Sequence, residues 1–482
     1  MTAIHTPEWV KHAVFYQIYP DRFARGSAMR HDAGLQFMPW GSDPRLQGYQ
    51  GGDLYGVAEK LDYLRDLGVT ALYLNPIFAS ASNHRYHTYD YLQVDPLLGG
   101  NAALRQLLDE AHRRGMHVVL DGVFNHASRG FWAFHHILEN GPTSPYLDWF
   151  LIEDWPLRAY HSDADNPPNY QCWWDLPALP KFNIHNPGAR HYLLSVARFW
   201  LEFGIDGWRL DVPQEITDDS FWQEFRQVVK GVNPQAWICG EIWDDASHYL
   251  KGDMFDAVMN YPLGNALLRF AGARTLRRDY IKPHLPMTPL DAPALIAALD
   301  QQWQRYPRAV NEAQLNLLDS HDCARALWMV HGDDSALRLA WLLLFCLPGA
   351  PCVYYGTEVG LNGGDDPDCR EAFPWHQPGV WDSSLQHQLR LLATMRHAHP
   401  VLRTGSLHWL ASGETEVIAF SRRLGGDRAL VVVNSDSRPH RLTLPMSAAD
   451  SMTALVSPLG WQADSHELTL NLGGRSGAVF IG

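Results

Sequence analysis

Cysteine is scarce and scattered in this chain. Six residues in 482 (Cys172, Cys239, Cys323, Cys346, Cys352 and Cys369) contain no CxxC pair, which argues against a disulfide framework or a zinc site. Several sit in apolar runs and read as buried free thiols suited to a reducing compartment. Blocks of Lys and Arg are missing as well. The 39 basic residues are outnumbered by 53 acidic ones, for a net charge of -14, so neither nucleic acid nor an anionic membrane is expected as a partner. The most apolar stretch, Trp341 to Tyr355, is broken by Pro348, Gly349 and Pro351 and is too short to span a bilayer. The first twenty residues have no basic segment followed by a long apolar one, so no signal peptide is expected and the reading is a soluble, cytoplasmic protein.

What is present is a large apolar content, 46%, and 19 Trp, enough for a sizeable core and for indole faces that suit sugar rings. A unit repeats along the first half: an amphipathic segment, a glycine, then a short apolar run. Val57 to Leu67 is followed by Gly68 and Ala71-Leu-Tyr-Leu-Asn75. Ala102 to Arg114 places Leu104, Leu107, Leu108 and Ala111 on one face and is followed by Gly115 and His117-Val-Val-Leu-Asp121. Arg190 to Phe203 is followed by Gly204 and Gly207-Trp-Arg-Leu-Asp211. Helix, glycine stop and buried strand are the pattern of β/α units around parallel strands. Eight strands are predicted, at 13–19, 71–75, 117–121, 207–211, 237–241, 257–261, 315–319 and 351–355. No glycine-rich dinucleotide loop follows the first, so the fold expected is an α/β (β/α)8 TIM barrel rather than an open doubly wound sheet. Residues 127–180, rich in Pro, Asp, Asn and Trp, break the pattern and read as an irregular subdomain inserted after the third strand. The barrel then comprises 1–126 and 181–397, and 398–482, with short alternating runs, reads as a C-terminal all-β sandwich domain.

In such barrels the reactive groups sit at the C-terminal ends of strands. Four predicted ends carry acids: Asp121, Asp211, Glu241 and the run Asp319-Ser-His-Asp322. Strand alternation puts Arg209 and Asp211 on one face, where the guanidinium is expected to keep Asp211 ionised, as a nucleophile requires. Glu241 ends the apolar run Trp237-Ile-Cys-Gly-Glu241, with no cationic neighbour apparent, so burial is expected to raise its pKa, as a general acid requires. Two carboxyls in opposed environments form the acid and nucleophile pair of glycoside cleavage.

These residues carry a resemblance. In order, Asp121-Gly-Val-Phe-Asn-His126, Gly207-Trp-Arg-Leu-Asp211, Gly240-Glu-Ile-Trp243 and Asp319-Ser-His-Asp322 resemble the short motifs of the α-amylase family of glycoside hydrolases. The resemblance implies Asp211 as nucleophile, Glu241 as acid/base and Asp322 as the third catalytic carboxylate, gripping hydroxyls of the sugar at the cleaved bond. It further implies His126, Arg209 and His321 as binders of that sugar, Tyr86 as its stacking platform with His84 beside it, and Asp121 as the group that holds Arg209. Leu179-Pro-Lys-Phe-Asn183 is similar to the Met-Pro-Lys-Leu-Asn signature of the neopullulanase, cyclomaltodextrinase and maltogenic amylase group. Within that group Glu215 and Trp243 are implied on the leaving-group side, and Asp366 and Arg370 in contact with sugars further along the chain.

The implied activity is retaining hydrolysis of α-1,4-glucosidic bonds in maltooligosaccharides and cyclomaltodextrins, with pullulan cleavage and transglycosylation as further activities of the group. An exo-acting α-glucosidase and a non-catalytic carbohydrate-binding or interaction barrel stay open as alternatives. Two departures from the group's pattern bear on this. Its N-terminal β-domain, which joins two subunits and roofs the neighbouring cleft, has no counterpart before the strand near residue 13, so that dimer is not expected. The cleft would then be shaped by the chain's own loops, Asn169-Tyr-Gln-Cys-Trp-Trp174 and Gly360 to Trp375. The group's oxygen-rich calcium loop is here Arg22-Phe-Ala-Arg-Gly-Ser27, with only Asp21, Gly51 and Asp53 nearby. No calcium or other metal and no cofactor are therefore expected.

Overall fold

The computed structural model describes residues 4–31, 34–160, 162–163, 165–410, 413–445 and 452–482. Eight parallel strands form its centre: β1 Phe15–Ile18, β2 Ala71–Leu74, β3 His117–Gly122, β4 Gly207–Leu210, β5 Trp237–Gly240, β6 Ala257–Val258, β7 Leu315–Leu317 and β8 Ala350–Tyr354. They pair in the order β6-β5-β4-β3-β2-β1-β8-β7. A parallel bridge between Met259 and Leu315, with the Asn260 N–H donating to the Leu315 carbonyl at 2.8 Å, joins β6 to β7 and closes the ring. The barrel predicted from the repeated units is thus the observed architecture.

Alternation along the strands sorts side chains into two cores. Phe15, Ala71, Tyr73, Val119, Trp237, Cys239, Leu315, Leu317, Ala350 and Cys352 fill the barrel interior. Their neighbours Tyr16, Ile18, Leu72, Leu74, Val118, Leu120, Trp208, Leu210 and Ile238 belong to the outer core, against the helices. Both faces of each strand are therefore buried, which is why the strands read as continuous apolar runs. The helix Gly100–Arg113 buries Ala103, Leu104, Leu107, Leu108 and Ala111, the face its spacing predicts. Each buried Leu contributes about 1.5–3 kcal/mol. Gly115, at φ +72°, then turns the chain into β3. The helical segment after β1 differs from the expected 57–67. Asp53 caps it by accepting the Gly56 N–H, so it starts at Leu54, and it breaks at Lys60 into Leu54–Glu59 and Leu61–Asp66.

Residues 127–180, between β3 and the helix Pro187–Glu202, hold one nine-residue helix, Trp132–Asn140, and isolated bridges such as Ile152 to Tyr170 and Cys172 to Pro180. Beyond the helix Ser383–Ala398 and the one-turn helix Val401–Thr404, the regular elements among the described residues are all strands. Strands Ser406–Leu410, Val417–Leu424, Asp427–Asn434, Ser476–Ile481 and Thr453–Val456 form one sheet in that spatial order, and His440–Pro445, Glu467–Leu472 and Gly460–Ala463 a second. Val417, Leu430 and Phe480 from the first share a core with Leu442, Leu444, Leu468 and Leu470 from the second. All six cysteines are free, and five of them are buried. Among the described residues no helix is long and apolar enough to cross a membrane.

Candidate active site

The acids lie at the C-terminal mouth of the barrel. Asp211 and Glu241 each stand one residue past the end of their strand, β4 and β5, where the backbone leaves the ladder and the carboxyl can turn into the mouth. Strand register sets Asp121 beside Arg209. The Arg209 guanidinium is the hub: Nη1 lies 2.8 Å from Asp121 and 3.2 Å from Asp211, and Nη2 lies 3.0 Å from Glu241 and 3.9 Å from Asp322. Burial opposes its charge, but the carboxyls of Asp121 and Glu241 outweigh that and hold the proton on it firmly.

This hub overturns the expectation for Asp211, and for Glu241 it bears out the direction while correcting the surroundings. Glu241 does have a cationic neighbour, the same Arg209 that serves Asp211. Its carboxyl is still raised, because burial outweighs the guanidinium. Asp211 is raised rather than lowered: burial dominates, Glu241 adds to it, and Arg209 opposes it without winning. One cation cannot neutralise three buried carboxyls, so the cluster favours keeping protons. The opposed environments read from strand alternation are instead a shared one.

What separates the two acids is hydrogen bonding. Glu241 accepts the Trp243 indole N–H at 3.0 Å and the Val212 backbone N–H at 3.1 Å. Val212 reaches it from a left-handed conformation, φ 34° and ψ 50°, which is costly for a β-branched residue and turns its N–H toward the acid. The Trp243 ring is held in turn by stacking on Tyr261, 3.8 Å between centroids. Among the described residues, Arg209 is the only side chain that donates to Asp211.

A second network lines the same mouth. The Gln17 amide donates to Nδ1 of His321 at 2.8 Å, which leaves the imidazole proton on Nε2, 3.1 Å from Asp322 and 2.5 Å from the Tyr86 hydroxyl. Tyr86 and Tyr73 donate to Asp121 at 2.9 and 2.8 Å. Tyr86 stacks on His321 at 5.5 Å, with His84 at 5.8 Å. Burial lowers His84 and His321 well below the usual imidazole range, so both are neutral. His126 is pushed down to about 3 by burial, and its Nε2 has no hydrogen-bond partner, an acceptor or donor left for a ligand. Arg370 donates to the His321 carbonyl at 2.9 Å and lies 3.4 Å from Asp322 and 2.8 Å from Asp366.

The structure therefore gathers Asp211, Glu241, Asp322, Arg209, His84, Tyr86, His126, His321, Trp243, Asp366 and Arg370 about one mouth. Glu215 stands apart from the Arg209 hub, 41% exposed and paired with Lys181 at 3.1 Å. Sequence reasoning passed over Gln17, Tyr73, Tyr261 and Lys181. The first two carried a signal: Gln17 is the one amide in the buried run Phe15-Tyr-Gln-Ile18, and Tyr73 shares its register position on β2. In the loop after β1 the two carboxylates are engaged by backbone N–H groups. Asp21 accepts the Gln50 and Gly51 N–H groups at 2.9 and 3.3 Å and pairs with Arg22, while Asp53 accepts the Gly26 and Gly56 N–H groups at 2.8 Å. Among the described residues no three His, Cys, Asp or Glu side chains are grouped to hold a metal.

A parallel barrel with acids at successive strand ends around a buried arginine, and neutral imidazoles and aromatic rings beside them, defines a glycoside hydrolase. The chain belongs to the alpha-amylase family, whose catalytic-domain model matches residues 17–384. It is 44% identical over 439 residues to a cyclomaltodextrinase from a Bacillus species, covering 90% of this chain and 75% of that one. It is 41% identical over 476 residues to neopullulanase 2 of Thermoactinomyces vulgaris, covering 97% of this chain and 77% of that one. Among solved structures, the debranching enzyme of Nostoc punctiforme superposes with a TM-score of 0.89 at 44% identity, over 99% of this chain and 100% of that one.

Proposed function

We propose that the protein hydrolyses α-1,4-glucosidic bonds of maltooligosaccharides and cyclomaltodextrins with retention of configuration. Asp211 attacks the anomeric carbon, and Glu241 protonates the departing oxygen and then deprotonates the attacking water. Asp322 and His321 hold hydroxyls of the sugar at the cleaved bond, and His126 supplies its unpaired Nε2 to the same unit. The observation that carries the reading is the Arg209 hub, with Asp211 on one guanidinium nitrogen and Glu241 on the other at 3.2 and 3.0 Å. That spacing puts both carboxyls within reach of a single glycosidic bond.

The cluster's surplus of carboxyls suits the cycle. Because Asp211 and Glu241 repel each other's charge, one proton on the pair suffices: held on Glu241 it is donated to the departing oxygen, and Asp211 is the ionised partner that attacks. The names of the similar relatives, cyclomaltodextrinase and neopullulanase, support α-glucans as the substrate class. Proton NMR of fresh product tests the mechanism: the α-anomer is expected first, and the β-anomer first would overturn Asp211 as nucleophile. A product profile on cyclomaltodextrin, starch, pullulan and maltotriose tests the substrate, and single glucose units released from chain ends alone would favour the exo-acting α-glucosidase instead.

A further inference from the structure

Trp173 and Trp174 combine features that a wall or a core residue does not need. Trp174 is 77% exposed, the largest exposure of any indole in the chain. It also lies in a left-handed conformation, φ 52° and ψ 32°, and Asp175 after it has φ 54°. Two successive residues other than glycine in that region are costly, and such cost is kept where surrounding structure imposes it. Here the loop closes on itself: the Trp173 N–H donates to the Leu179 carbonyl at 3.0 Å and the Leu179 N–H to the Leu176 carbonyl at 2.9 Å.

The result of the strain is a ladder of parallel rings. Trp174 stacks on Trp173 with centroids 4.4 Å apart and planes 9° apart. Trp173 stacks in turn on His126, at 5.4 Å and 22°. The inner rung is buried and ends in the unpaired Nε2, and the outer rung turns its far face to solvent. Beside the ladder, Lys181 bridges to His126 along the backbone and pairs with Glu215. An aromatic surface thus runs from the mouth of the barrel outward, with charged hydrogen-bonding groups next to it. Apolar ring face and adjacent polar rim is the chemistry that takes a pyranose ring.

We propose that the exposed face of Trp174 is a sugar platform that seats a glucosyl unit of a bound α-glucan outside the cleaved unit, and so sets the enzyme's preference for chain length. This rests on the reading of the mouth as a glycosidase site. Trp173 serves as the spacer that fixes the platform at a set distance from His126, and the left-handed turn presents the indole flat rather than edge-on.

The test compares Trp174→Ala and Trp174→Phe with the parent on maltoheptaose and on p-nitrophenyl α-glucoside, with melting temperatures to confirm intact folding. Trp174→Ala is expected to raise KM for maltoheptaose roughly tenfold with kcat nearly unchanged, since a stacking contact remote from the bond binds ground and transition states alike. The aryl glucoside, too short to reach the platform, is expected to be turned over as before, and Trp174→Phe to recover most of the affinity. Equal losses on both substrates would mean that Trp174 acts only by bracing His126, and an unchanged maltoheptaose KM would mean that no sugar sits there; either result overturns the platform. If the parent cleaves no α-glucan, the glycosidase reading fails separately. Calorimetric titration of Asp211→Asn with maltoheptaose, with and without Trp174→Ala, then decides the platform alone, and equal affinities would overturn it.

Discussion

Asp121 offers a test in which stability and activity move in opposite directions. Its carboxyl is fully buried and is pushed from an ordinary 3.8 up to about 6, chiefly by burial, with Arg209 and the hydroxyls of Tyr73 and Tyr86 opposing. A carboxyl whose folded-state value is raised favours folding fully below pH 3.8 and loses that contribution as pH rises through 6. Each tenfold step is worth about 1.36 kcal/mol, so the ionised group costs folding about 3 kcal/mol at pH 8 and about 1 kcal/mol at pH 4.5. Asp121→Asn removes the titration and keeps the shape: the amide oxygen still accepts from Arg209, and the amide N–H groups point at tyrosine hydroxyls, which can accept. Relative to the parent, the variant is expected to gain about 2 kcal/mol more at pH 8 than at pH 4.5. This appears as a Tm difference of a few degrees between the two pH values, given about 2 °C per kcal/mol in large chains. The pH dependence isolates the charge from any fixed cost of the amide. Turnover should fall at least about tenfold, because Arg209 and Tyr86 both lose a charged anchor. A Tm difference identical at both pH values would refute the argument that Asp121 is held ionised at a cost.

Glu241→Gln should be severe on maltooligosaccharides and milder on aryl glycosides, whose leaving groups need less protonation; equal losses would count against Glu241 as the acid. Arg370→Ala should mainly raise KM, with a smaller effect on kcat, because it braces Asp322 and Asp366 in the free and bound site alike; a pure kcat effect would contradict this. The depressed imidazoles of His84, His126 and His321 contribute stability that is lost as pH falls below the unfolded value of 6.5, while the raised carboxyls of Asp121, Asp211 and Glu241 lose theirs as pH rises from the ordinary carboxylate range through their raised values. His321→Gln should therefore lose less stability than the parent between pH 6.5 and 5 in thermal melts, and an equal loss would refute the neutral-imidazole assignment. EDTA should change neither activity nor Tm, and a large fall restored by calcium would show that Asp21 and Asp53 can trade their backbone partners for a cation.

The eight strands and the helices between them were legible because their rules are local. An apolar face at helical spacing, as in Leu104, Leu107, Leu108 and Ala111, and a glycine at the stop depend on residues within a few turns. The acids at strand ends were legible for the same reason, since strand limits are set by short apolar runs. The start of the helix at Leu54 was not: it depends on Asp53 acting as the cap, which competes with readings of that residue as a metal ligand. Gln17 and Tyr73 were passed over because polar groups in a buried run matter only once register shows that they face the barrel interior.

The sequence by itself thus determined the barrel, the closing all-β segment and the identities of the acids that meet at its mouth. Tertiary structure decided their electrostatics. Whether Arg209 serves Asp211 or is shared with Glu241 and Asp121 cannot be read from strand alternation. Alternation fixes the face a side chain points to, whereas the Coulomb energy depends on distances between residues that are 30 or more positions apart in the chain, such as Arg209 and Glu241. The ring ladder likewise joins His126 to Trp173 and Trp174 across 47 and 48 residues, and only the folded chain brings those faces into line.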